Sequence, residues 1–329
     1  AQARTDQSSA EEPPQHNGGR QQHETDHQDD VHGGLTLLAE WIETHNGDGR
    51  GRDAGNRSSI VRRMSEGSFD GEFVTVSDEG AVRTVTMWNP ARRNAVPVDG
   101  WAELESAFAD FEMSDQRVLV LRGAGTDFCS GADVSEMIET DLSSVADNMA
   151  TMQRTTRAAQ RLASLSKPTV AAVRGVAAGA GMNLAIGCDI VVAAQDALFS
   201  EVFVARGLTM DMGGTWLLPR LIGLAAAMDL ALTGRIVDAA EAAELGLVAA
   251  VVEIEDLEVV VEQRTAALAQ GAPLAQRFIK QGLKRSTTMT FEQALAFENQ
   301  AQAVLLASED AREGFASFVE KRAPGFTGR

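Results

Sequence analysis

A short strand, a glycine-rich turn and a helix start are encoded in sequence by Thr169-Val170-Ala171-Ala172-Val173-Arg174-Gly175-Val176-Ala177-Ala178-Gly179-Ala180-Gly181. The first five residues are apolar or β-branched, which predicts a short buried strand. The glycines that follow permit tight turns and a close approach of the backbone to a ligand. Backbone N–H groups in such a turn are candidates to donate hydrogen bonds to a ligand oxygen.

Upstream of this stretch the pattern alternates between strands and helices. Two runs of alternating hydrophobicity between Phe73 and Met87 predict a β-hairpin. Asp99 is a candidate N-cap for a helix from Trp101 to Phe111, and Val118 to Leu121 predict a buried strand. A long polar helix is expected from about Ser143 to Leu165.

Downstream, Ile190 to Ala193 predict another strand, and from about Leu257 only helical patterns remain. Thr290 and Gln293 have the spacing of a capping box, and Ser308 is a candidate N-cap for the last helix. Strands that alternate with helices indicate an α/β fold, which is followed here by a helical C-terminal region.

The charge balance restricts the partners. With 29 Lys and Arg residues against 47 Asp and Glu residues, the formal net charge is −18. Such a surface repels nucleic acid and anionic lipid, so we expect neither as a partner. No run of about eighteen apolar residues predicts a membrane span. The N-terminus lacks a signal-peptide pattern and two cysteines give no disulfide framework, so a cytoplasmic location is expected.

The distribution of histidine excludes several kinds of site. All five histidines lie at or before His45, and the chain contains no tyrosine. Ser-His-Asp and Cys-His nucleophilic sites are therefore excluded from the rest of the chain. No cluster of His, Cys and carboxylates has metal-ligand spacing, so we expect no metal. Residues 1–68 have the composition of a disordered extension, with one apolar island at Leu35 to Ile42.

A single carboxylate stands in an apolar context in Gly207-Leu208-Thr209-Met210-Asp211-Met212-Gly213-Gly214-Thr215. Apolar neighbours raise the pKa of a carboxylate, as a base that acts near neutral pH requires. A small-residue turn earlier in the chain, Cys129-Ser130-Gly131-Ala132-Asp133, provides further backbone N–H groups. One base with two amide donors predicts a site that stabilises an enolate. Structural roles stay open, with Asp211 as a helix cap and the small residues serving close packing.

Further motifs accompany these segments in a fixed order. They are Asn89-Pro90-Ala91-Arg92-Arg93-Asn94-Ala95, Phe128-Cys129-Ser130-Gly131-Ala132-Asp133, Lys167-Pro168-Thr169-Val170, Cys188-Asp189-Ile190 and Leu217-Leu218-Pro219-Arg220-Leu221-Ile222-Gly223. Together, from about Phe73 to the C-terminus, they resemble the crotonase superfamily, also called the enoyl-CoA hydratase/isomerase family. Within it, the resemblance is greatest to the epoxyphenylacetyl-CoA isomerases of phenylacetate degradation.

The resemblance implies a fold, an assembly and a reaction centre. The fold is a crotonase-type spiral of repeated ββα units over residues 69–256, and residues 257–329 form a helical region that assembles homotrimers or homohexamers. The N–H groups of Ala132 and Ala180 are implied to hold a thioester carbonyl oxygen, and a helix dipole adds a positive end at Ala180. Coenzyme A is then part of the substrate, and no separate cofactor is expected.

Family hydratases carry two glutamates that hold a water, and the matching positions here are Asn183 and Phe203. Neither side chain titrates, whereas Asp211 matches the aspartate of family isomerases. The resemblance therefore favours an acyl-CoA isomerase in which Asp211 moves a proton between carbons. Two alternatives stay open: a hydratase-like lyase in which Asn183 orients water, and a coenzyme A thioester-binding protein with little turnover. The lack of histidine makes a thioester hydrolase less favoured.

Contacts with coenzyme A are also implied, because its phosphates need cations in an acidic protein. The residues are Arg92, Arg93 and Ala95 in the first motif, Asp133, Val134 and Ser135 after the first turn, and Lys280 on a C-terminal helix that in relatives often reaches a neighbour's ligand. Each cation is also open to interpretation as an ordinary surface charge.

Overall fold

The computed structural model describes residues 71–139 and 142–329. The predicted extension, residues 1–68, and its apolar island lie outside the described residues. The predicted hairpin is confirmed: β1 (Val74–Glu79) pairs antiparallel with β2 (Val82–Met87). Gly80 lies in the turn between them with a φ of 55°, in the left-handed region that glycine adopts without strain.

Strands and helices then alternate as the sequence pattern predicts. In chain order they are α1 (Gly100–Met113), β3 (Val118–Gly123), α2 (Val134–Glu139), α3 (Val145–Ser164), β4 (Thr169–Val173), β5 (Val176–Ala178), α4 (Ala180–Gly187), β6 (Ile190–Ala194), β7 (Leu198–Ser200), α5 (Gly214–Ile222), α6 (Leu224–Thr233), β8 (Val237–Asp238), α7 (Ala239–Glu244) and β9 (Ala250–Val252). Short 3₁₀ helices occur at Pro90–Arg92, Val202–Arg206 and Ile254–Asp256.

The strands form two sheets. The larger has the order β1-β2-β3-β4-β6-β9 and is parallel from β2 onward, and the smaller has the order β5-β7-β8. The chain steps from the larger sheet to the smaller at Gly175, between β4 and β5. Gly175 has a φ of 54°, and a Cβ there would lie 2.3 Å from the carbonyl oxygen of Thr126. Only glycine fits this step, so the sheet change is encoded locally.

Four helices follow, as predicted: α8 (Leu257–Gln270), α9 (Pro273–Ser286), α10 (Phe291–Leu306) and α11 (Glu309–Glu320). The capping box of Thr290 and Gln293 is confirmed, and Ser308 caps α11 through the N–H of Ala311. Asp99 stands at the N-cap position of α1, as predicted, but its side chain does not cap the helix. Asp99 already has helical dihedral angles and its carboxylate pairs with Arg154 of α3, so it makes no cap hydrogen bond to α1.

Helices cover both faces of the larger sheet. On β4, Ala171 and Val173 belong to the main core, whereas Val170 and Ala172 pack in a second cluster with Leu257 of α8. Burial on both faces explains why this strand is a continuous apolar run in the sequence. The sheet therefore holds the loops at the ends of its strands on a rigid base.

Candidate active site

The two glycine-rich turns lie side by side. Cys129 pairs with Ala177 of β5: the Cys129 N–H donates to the carbonyl oxygen of Val176, and the N–H of Ala178 donates to that of Cys129, each over 2.9 Å. Gly181 in the first turn of α4 packs against the same segment, because a Cβ there would lie 2.1 Å from the carbonyl oxygen of Cys129. Any side chain at Gly181 would push the turns apart.

Ala132 follows Gly131, which has a φ of 100°. The neighbours of Ala132 make the bridge to Val96: the Val96 N–H donates to the carbonyl oxygen of Gly131, and the Asp133 N–H donates to that of Val96. In a parallel bridge of this kind the N–H of the central residue points the other way. The Ala132 N–H therefore faces away from Val96 and donates to no other described residue.

Ala180 follows a glycine in the same manner, since Gly179 has a φ of 53°. The Gly179 N–H donates to the carbonyl oxygen of Ser200 over 2.8 Å, which ties this turn to the end of β7. As the first residue of α4, Ala180 has no acceptor for its N–H within the helix, and it donates to no other described residue. A Cβ added at Gly131 would lie 3.6 Å from the Ala180 nitrogen, so the two amides belong to one small region.

The coenzyme A candidates that follow the first turn, the turn of Cys129 to Asp133, surround one ion pair. Arg92 Nη1 donates to both carboxylate oxygens of Asp133 over 2.9 Å and also contacts Ser135 Oγ. Ser135 Oγ in turn donates to Asp133 Oδ1 over 2.6 Å. Val134 is the exposed first residue of α2. The structure thus brings Arg92, Asp133, Val134 and Ser135 together.

The side chain of Asn94 anchors the loop that carries Arg92. Its Nδ2 donates to the carbonyl oxygens of Ala124 and Asp127, and Ala95 next to it is buried. Arg93 is half-buried with a φ of 50°, and burial lowers the pKa of its guanidinium although Asp127 opposes the change. Arg93 and Ala95 therefore lie on the same loop as Arg92, held at a fixed distance from the first turn.

Asp211 lies directly before the turn that starts α5. The N–H of Gly214 donates to the carbonyl oxygen of Asp211 over 2.8 Å, and Met212 and Gly213 have φ values of 50° and 86°. The helix-cap interpretation is wrong, because α5 begins at Gly214, its N-cap residue is Gly213, and no side chain caps it. Asp211 Oδ1 is buried and accepts no hydrogen bond from the described residues. Burial raises the pKa of Asp211 to about 6.

The charge of Asp211 affects two other buried groups. Burial raises the pKa of the Cys129 thiol to about 12, and Asp211 adds to the rise. Burial likewise raises the pKa of Glu201 to about 8, again with a contribution from Asp211. Asp211 therefore lies near the first glycine turn, through Cys129, and near Glu201.

Asn183 of α4 connects these groups. Its Nδ2 donates to the carbonyl oxygen of Asp211 over 3.1 Å and to Glu201 Oε2 over 3.4 Å. Gly214 packs against the same amide, because a Cβ there would lie 2.5 Å from Asn183 Nδ2. The structure thus brings Asn183, predicted from sequence, to the main chain of Asp211 rather than to its carboxylate.

Glu201 was not predicted as a site residue. It is fully buried, and its Oε1 has no hydrogen-bond partner within the described part of the chain. A signal was present: Glu201 is a lone carboxylate in Phe199-Ser200-Glu201-Val202-Phe203, the same kind of apolar context that identified Asp211. The two positions that match the hydratase glutamates do not titrate, yet a second carboxylate lies beside the site.

The sequence and the fold match a known family. The family model described as enoyl-CoA hydratase/isomerase matches residues 77–329. The chain belongs to this family. Among its curated members, the 1,2-epoxyphenylacetyl-CoA isomerase of Escherichia coli K12 is 39% identical over 260 residues, which cover 78% of this chain and 99% of that protein. The short-chain-enoyl-CoA hydratase of Clostridium acetobutylicum is 35% identical over 257 residues, covering 76% and 95%.

Solved structures of the enoyl-CoA hydratase/isomerase family share the fold. The enoyl-CoA hydratase of Mycobacterium smegmatis superimposes with a TM-score of 0.73 at 30% identity, covering 77% of this chain and 98% of that one. The predicted crotonase-type architecture, with helices at the C-terminus, is therefore confirmed. Because the relatives include both isomerases and hydratases, membership of the family alone leaves both reactions open.

The surroundings of Phe203 and Lys280 bear on the roles that the sequence predicted for them. The ring of Phe203 lies against the second turn, with Cζ 3.5 Å from where a Cβ of Gly179 would stand, so hydrocarbon flanks the turn of Ala180. Lys280 Nζ, by contrast, pairs with Asp189 Oδ2 over 2.6 Å and donates to the carbonyl oxygen of Lys167 over 2.7 Å.

The partners of Lys280 precede β6 and β4, whereas the second glycine turn follows β4. The length of a five-residue strand, roughly 16 Å, therefore separates Lys280 from that turn. Within one chain the structure does not bring Lys280 to the other coenzyme A candidates. A contact between Lys280 and the ligand of a neighbouring subunit stays a prediction.

Two further findings concern partners and metals. Over residues 71–139 and 142–329, no helix combines the length and the apolar character needed to cross a membrane. In the same residues, no group of three or more His, Cys, Asp and Glu side chains is arranged to hold a metal ion.

Proposed function

We propose that the protein is an acyl-CoA isomerase that shifts a double bond, or rearranges a ring, in an enoyl-CoA-type thioester. The observation that carries this proposal is Asp211. Its carboxylate has a buried oxygen free of hydrogen bonds from the described residues, a pKa near 6, and a position close to the turn of Cys129. A base of this kind is ionised at neutral pH and still basic enough to remove a proton.

The reaction begins with the thioester carbonyl oxygen accepting hydrogen bonds from the N–H groups of Ala132 and Ala180. Asp211 removes a proton from a carbon activated by the thioester, and the electron pair moves to the carbonyl oxygen to form an enolate. The protonated Asp211 then returns the proton to a different carbon as the double bond moves. No water or net proton is consumed. Each amide donor contributes about 10²–10³ in rate.

Coenzyme A is proposed to lie along the loop of Arg92 and the start of α2. Arg92 is half-exposed while its partner Asp133 is buried, so the ion pair orients the guanidinium and leaves part of it accessible. On a protein with a net charge of −18, a phosphate needs a local cation to offset the repulsion from the surrounding carboxylates. Arg93 and Ala95 are proposed to complete this surface, with Val134 and Ser135 close to the adenine.

Assembly into a trimer or hexamer is supported by the C-terminal helices. Large apolar side chains are exposed on them in the single chain, among them Leu283 of α9 (69% exposed), Phe291 of α10 (73%) and Phe318 of α11 (84%). Large exposed apolar side chains mark protein–protein contacts in soluble proteins where they lie together in one patch. We propose that these helices meet other copies of the chain.

Water addition is the second candidate, because one observation favours it. Glu201 and Asp211 are two carboxylates with raised pKa values on either side of Asn183, and a hydratase needs an acid and a base. Against it, Glu201 is fully buried behind Asn183, and Phe203 contributes hydrocarbon beside the turn of Ala180. Isomerisation needs only one carboxylate that reaches both carbons, and we propose Asp211 for that role.

The proposal is tested by incubating the enzyme in D₂O with 2-enoyl-, 3-enoyl-, dienoyl- and arylacetyl-CoA thioesters, including a ring epoxide, followed by mass spectrometry. Isomerisation gives a product of unchanged elemental composition that liquid chromatography separates from the substrate, and deuterium enters it only where the proton on Asp211 exchanges with D₂O before it is returned. Water addition instead adds the mass of D₂O, and hydrolysis releases free coenzyme A. Net hydration of a 2-enoyl-CoA without isomerisation of any thioester would replace the first candidate by the second. Tight binding without turnover on the whole panel would overturn both.

A further inference from the structure

Glu201 and Asn183 leave a pair of buried oxygens without donors. Asn183 Nδ2 donates to Glu201 Oε2 over 3.4 Å, which pairs one atom of each side chain. Glu201 Oε1 and Asn183 Oδ1 are both buried, and neither has a hydrogen-bond partner within the described residues. Both groups are almost inaccessible, at 0% and 1% exposure. Because Nδ2 and Oε2 already pair the two side chains, a proton on Glu201 would provide a donor for the unpaired oxygens, and a buried acceptor left without a donor is destabilising.

No cation among the described neighbours provides that donor. Helix α4, which carries Asn183, has no titratable side chain, and from the α5 turn the group that affects Glu201 is the anionic Asp211. On the side of α6, Asp229 pairs with Arg235, which also pairs with Glu241. Arg206, at the end of the 3₁₀ helix that follows Glu201, is exposed.

We propose that Glu201 is a positioning residue that carries a proton on Oε1 and donates it to Asn183 Oδ1. The acid and the amide then form a closed pair of hydrogen bonds, Nδ2 to Oε2 and Oε1 to Oδ1. This pair fixes the orientation of the Asn183 amide, whose Nδ2 also donates to the carbonyl oxygen of Asp211. Glu201 thereby holds the turn of the base without touching the substrate.

The electrostatics agree with a protonated Glu201. Burial raises its pKa to about 8, the negative charge of Asp211 adds to the rise, and the hydrogen bond from Asn183 opposes it. At neutral pH Asp211 is then mostly ionised while Glu201 is mostly neutral. Above about pH 8 Glu201 loses its proton, the bond to Asn183 Oδ1 is lost, and a second negative charge stands next to the base. The Asn183 amide then no longer holds the turn at Asp211 in one orientation, and activity declines.

The inference rests on the proposed role of Asp211 as base. Two variants of Glu201 distinguish the effect of its hydrogen bonds from the effect of its negative charge. Glutamine at this position reproduces the protonated acid, because its amide donates to Asn183 Oδ1 and its carbonyl oxygen accepts from Nδ2. Glu201→Leu removes both bonds and is expected to lower kcat by about 10–100-fold with little change in KM. Glu201→Gln is expected to recover most of that loss and to abolish the decline of kcat above about pH 8.

Glu112→Gln is the matched control, since Glu112 of α1 is a part-buried carboxylate that accepts hydrogen bonds from Ser166. It is expected to keep the alkaline limb of the wild-type pH profile. The proposal is overturned if Glu201→Gln loses as much kcat as Glu201→Leu, or if the alkaline limb persists in Glu201→Gln.

Infrared spectroscopy tests the proton on Glu201 independently of turnover. At pH 7 the wild-type protein is expected to show the carbonyl stretch of a buried carboxylic acid, which is retained in Glu112→Gln and absent in Glu201→Gln. Absence of this band from the wild type contradicts the proposal even if Glu201→Leu fails to fold. Failure of the proposed function has a different signature: Asp211→Asn would then isomerise at the wild-type rate while the infrared band is unaffected.

Discussion

The side-chain amide of Asn183 donates a 3.1 Å hydrogen bond to the main-chain carbonyl oxygen of Asp211. The same oxygen accepts the N–H of Gly214 over 2.8 Å. Two donors thus fix the peptide of Asp211, while its Oδ1 accepts no bond from the described residues. A base held by its main chain keeps its carboxylate available for proton transfer.

Asp211→Asn removes the base and preserves the shape of the side chain. If Asp211 carries the proton between carbons, kcat falls by about 10²–10⁴, because that is the contribution of a positioned general base. The affinity for coenzyme A esters changes little, and a bound chromophoric acyl-CoA still shows a polarised carbonyl, since the amides of Ala132 and Ala180 are unaffected. Loss of binding together with activity would instead assign Asp211 a structural role.

The pH profile of the wild-type enzyme has an acidic limb. Burial raises the pKa of Asp211 to about 6 from its ordinary value of 3.8, and the base acts only when ionised. We therefore expect kcat/KM to decline as the pH falls through about 6, with a slope of one proton. A profile that stays flat down to about pH 4 would argue against Asp211 as the base.

Asn183→Glu introduces a carboxylate at a position where family hydratases have one. It also removes the donor to the carbonyl oxygen of Asp211 and places a third acid beside Glu201. We expect at most slight hydration of a 2-enoyl-CoA, together with reduced isomerisation. Efficient water addition by this variant, measured by loss of enoyl absorbance, would refute the argument that Phe203 prevents hydration.

Glu201→Gln changes the pH dependence of stability. The pKa of Glu201 is about 8 in the folded protein against an ordinary value of 4.5. Between these two values the unfolded chain releases a proton that the folded protein retains, so the wild type loses stability as the pH rises. The glutamine variant lacks this loss.

Urea unfolding of both proteins measures the difference. The free energy of unfolding of the variant, relative to that of the wild type, should rise between about pH 4.5 and about pH 8 by at most about 1.4 kcal/mol per pH unit. Above about pH 8 this difference should stay constant. A constant difference over the whole range would mean that Glu201 is ionised in the folded protein.

Phe318→Asp tests the assembly. Phe318 on α11 is 84% exposed in the single chain, and we expect that a charge at a subunit contact shifts a trimer or hexamer toward the monomer. Met113, at the end of α1, is 86% exposed and provides the control Met113→Asp. Light scattering at micromolar concentration gives the masses. A monomeric wild type would contradict the proposed oligomer.

Local sequence was sufficient for the elements and for part of the site. Strands β1, β2 and β4 can be predicted from sequence because the alternating or continuous pattern of apolar residues in a strand matches which side chains are buried. The turns at Gly131 and Gly179 are readable because only glycine tolerates their dihedral angles without strain. Asp211 was identified by its apolar neighbours in the chain, and burial does raise its pKa.

Tertiary structure decided the rest. Glu201 lies 18 residues from Asn183, and Asn183 lies 28 residues from Asp211, so their contact depends on how α4, β7 and the α5 turn pack. The resemblance implied that Lys280 contacts the coenzyme A of a neighbouring subunit, and only the packing shows that within one chain its ammonium pairs with Asp189. Sequence determines which residue types and backbone conformations are available. The pairing of a buried charge depends on distances across the fold, because desolvation and hydrogen bonding act through space and not along the chain.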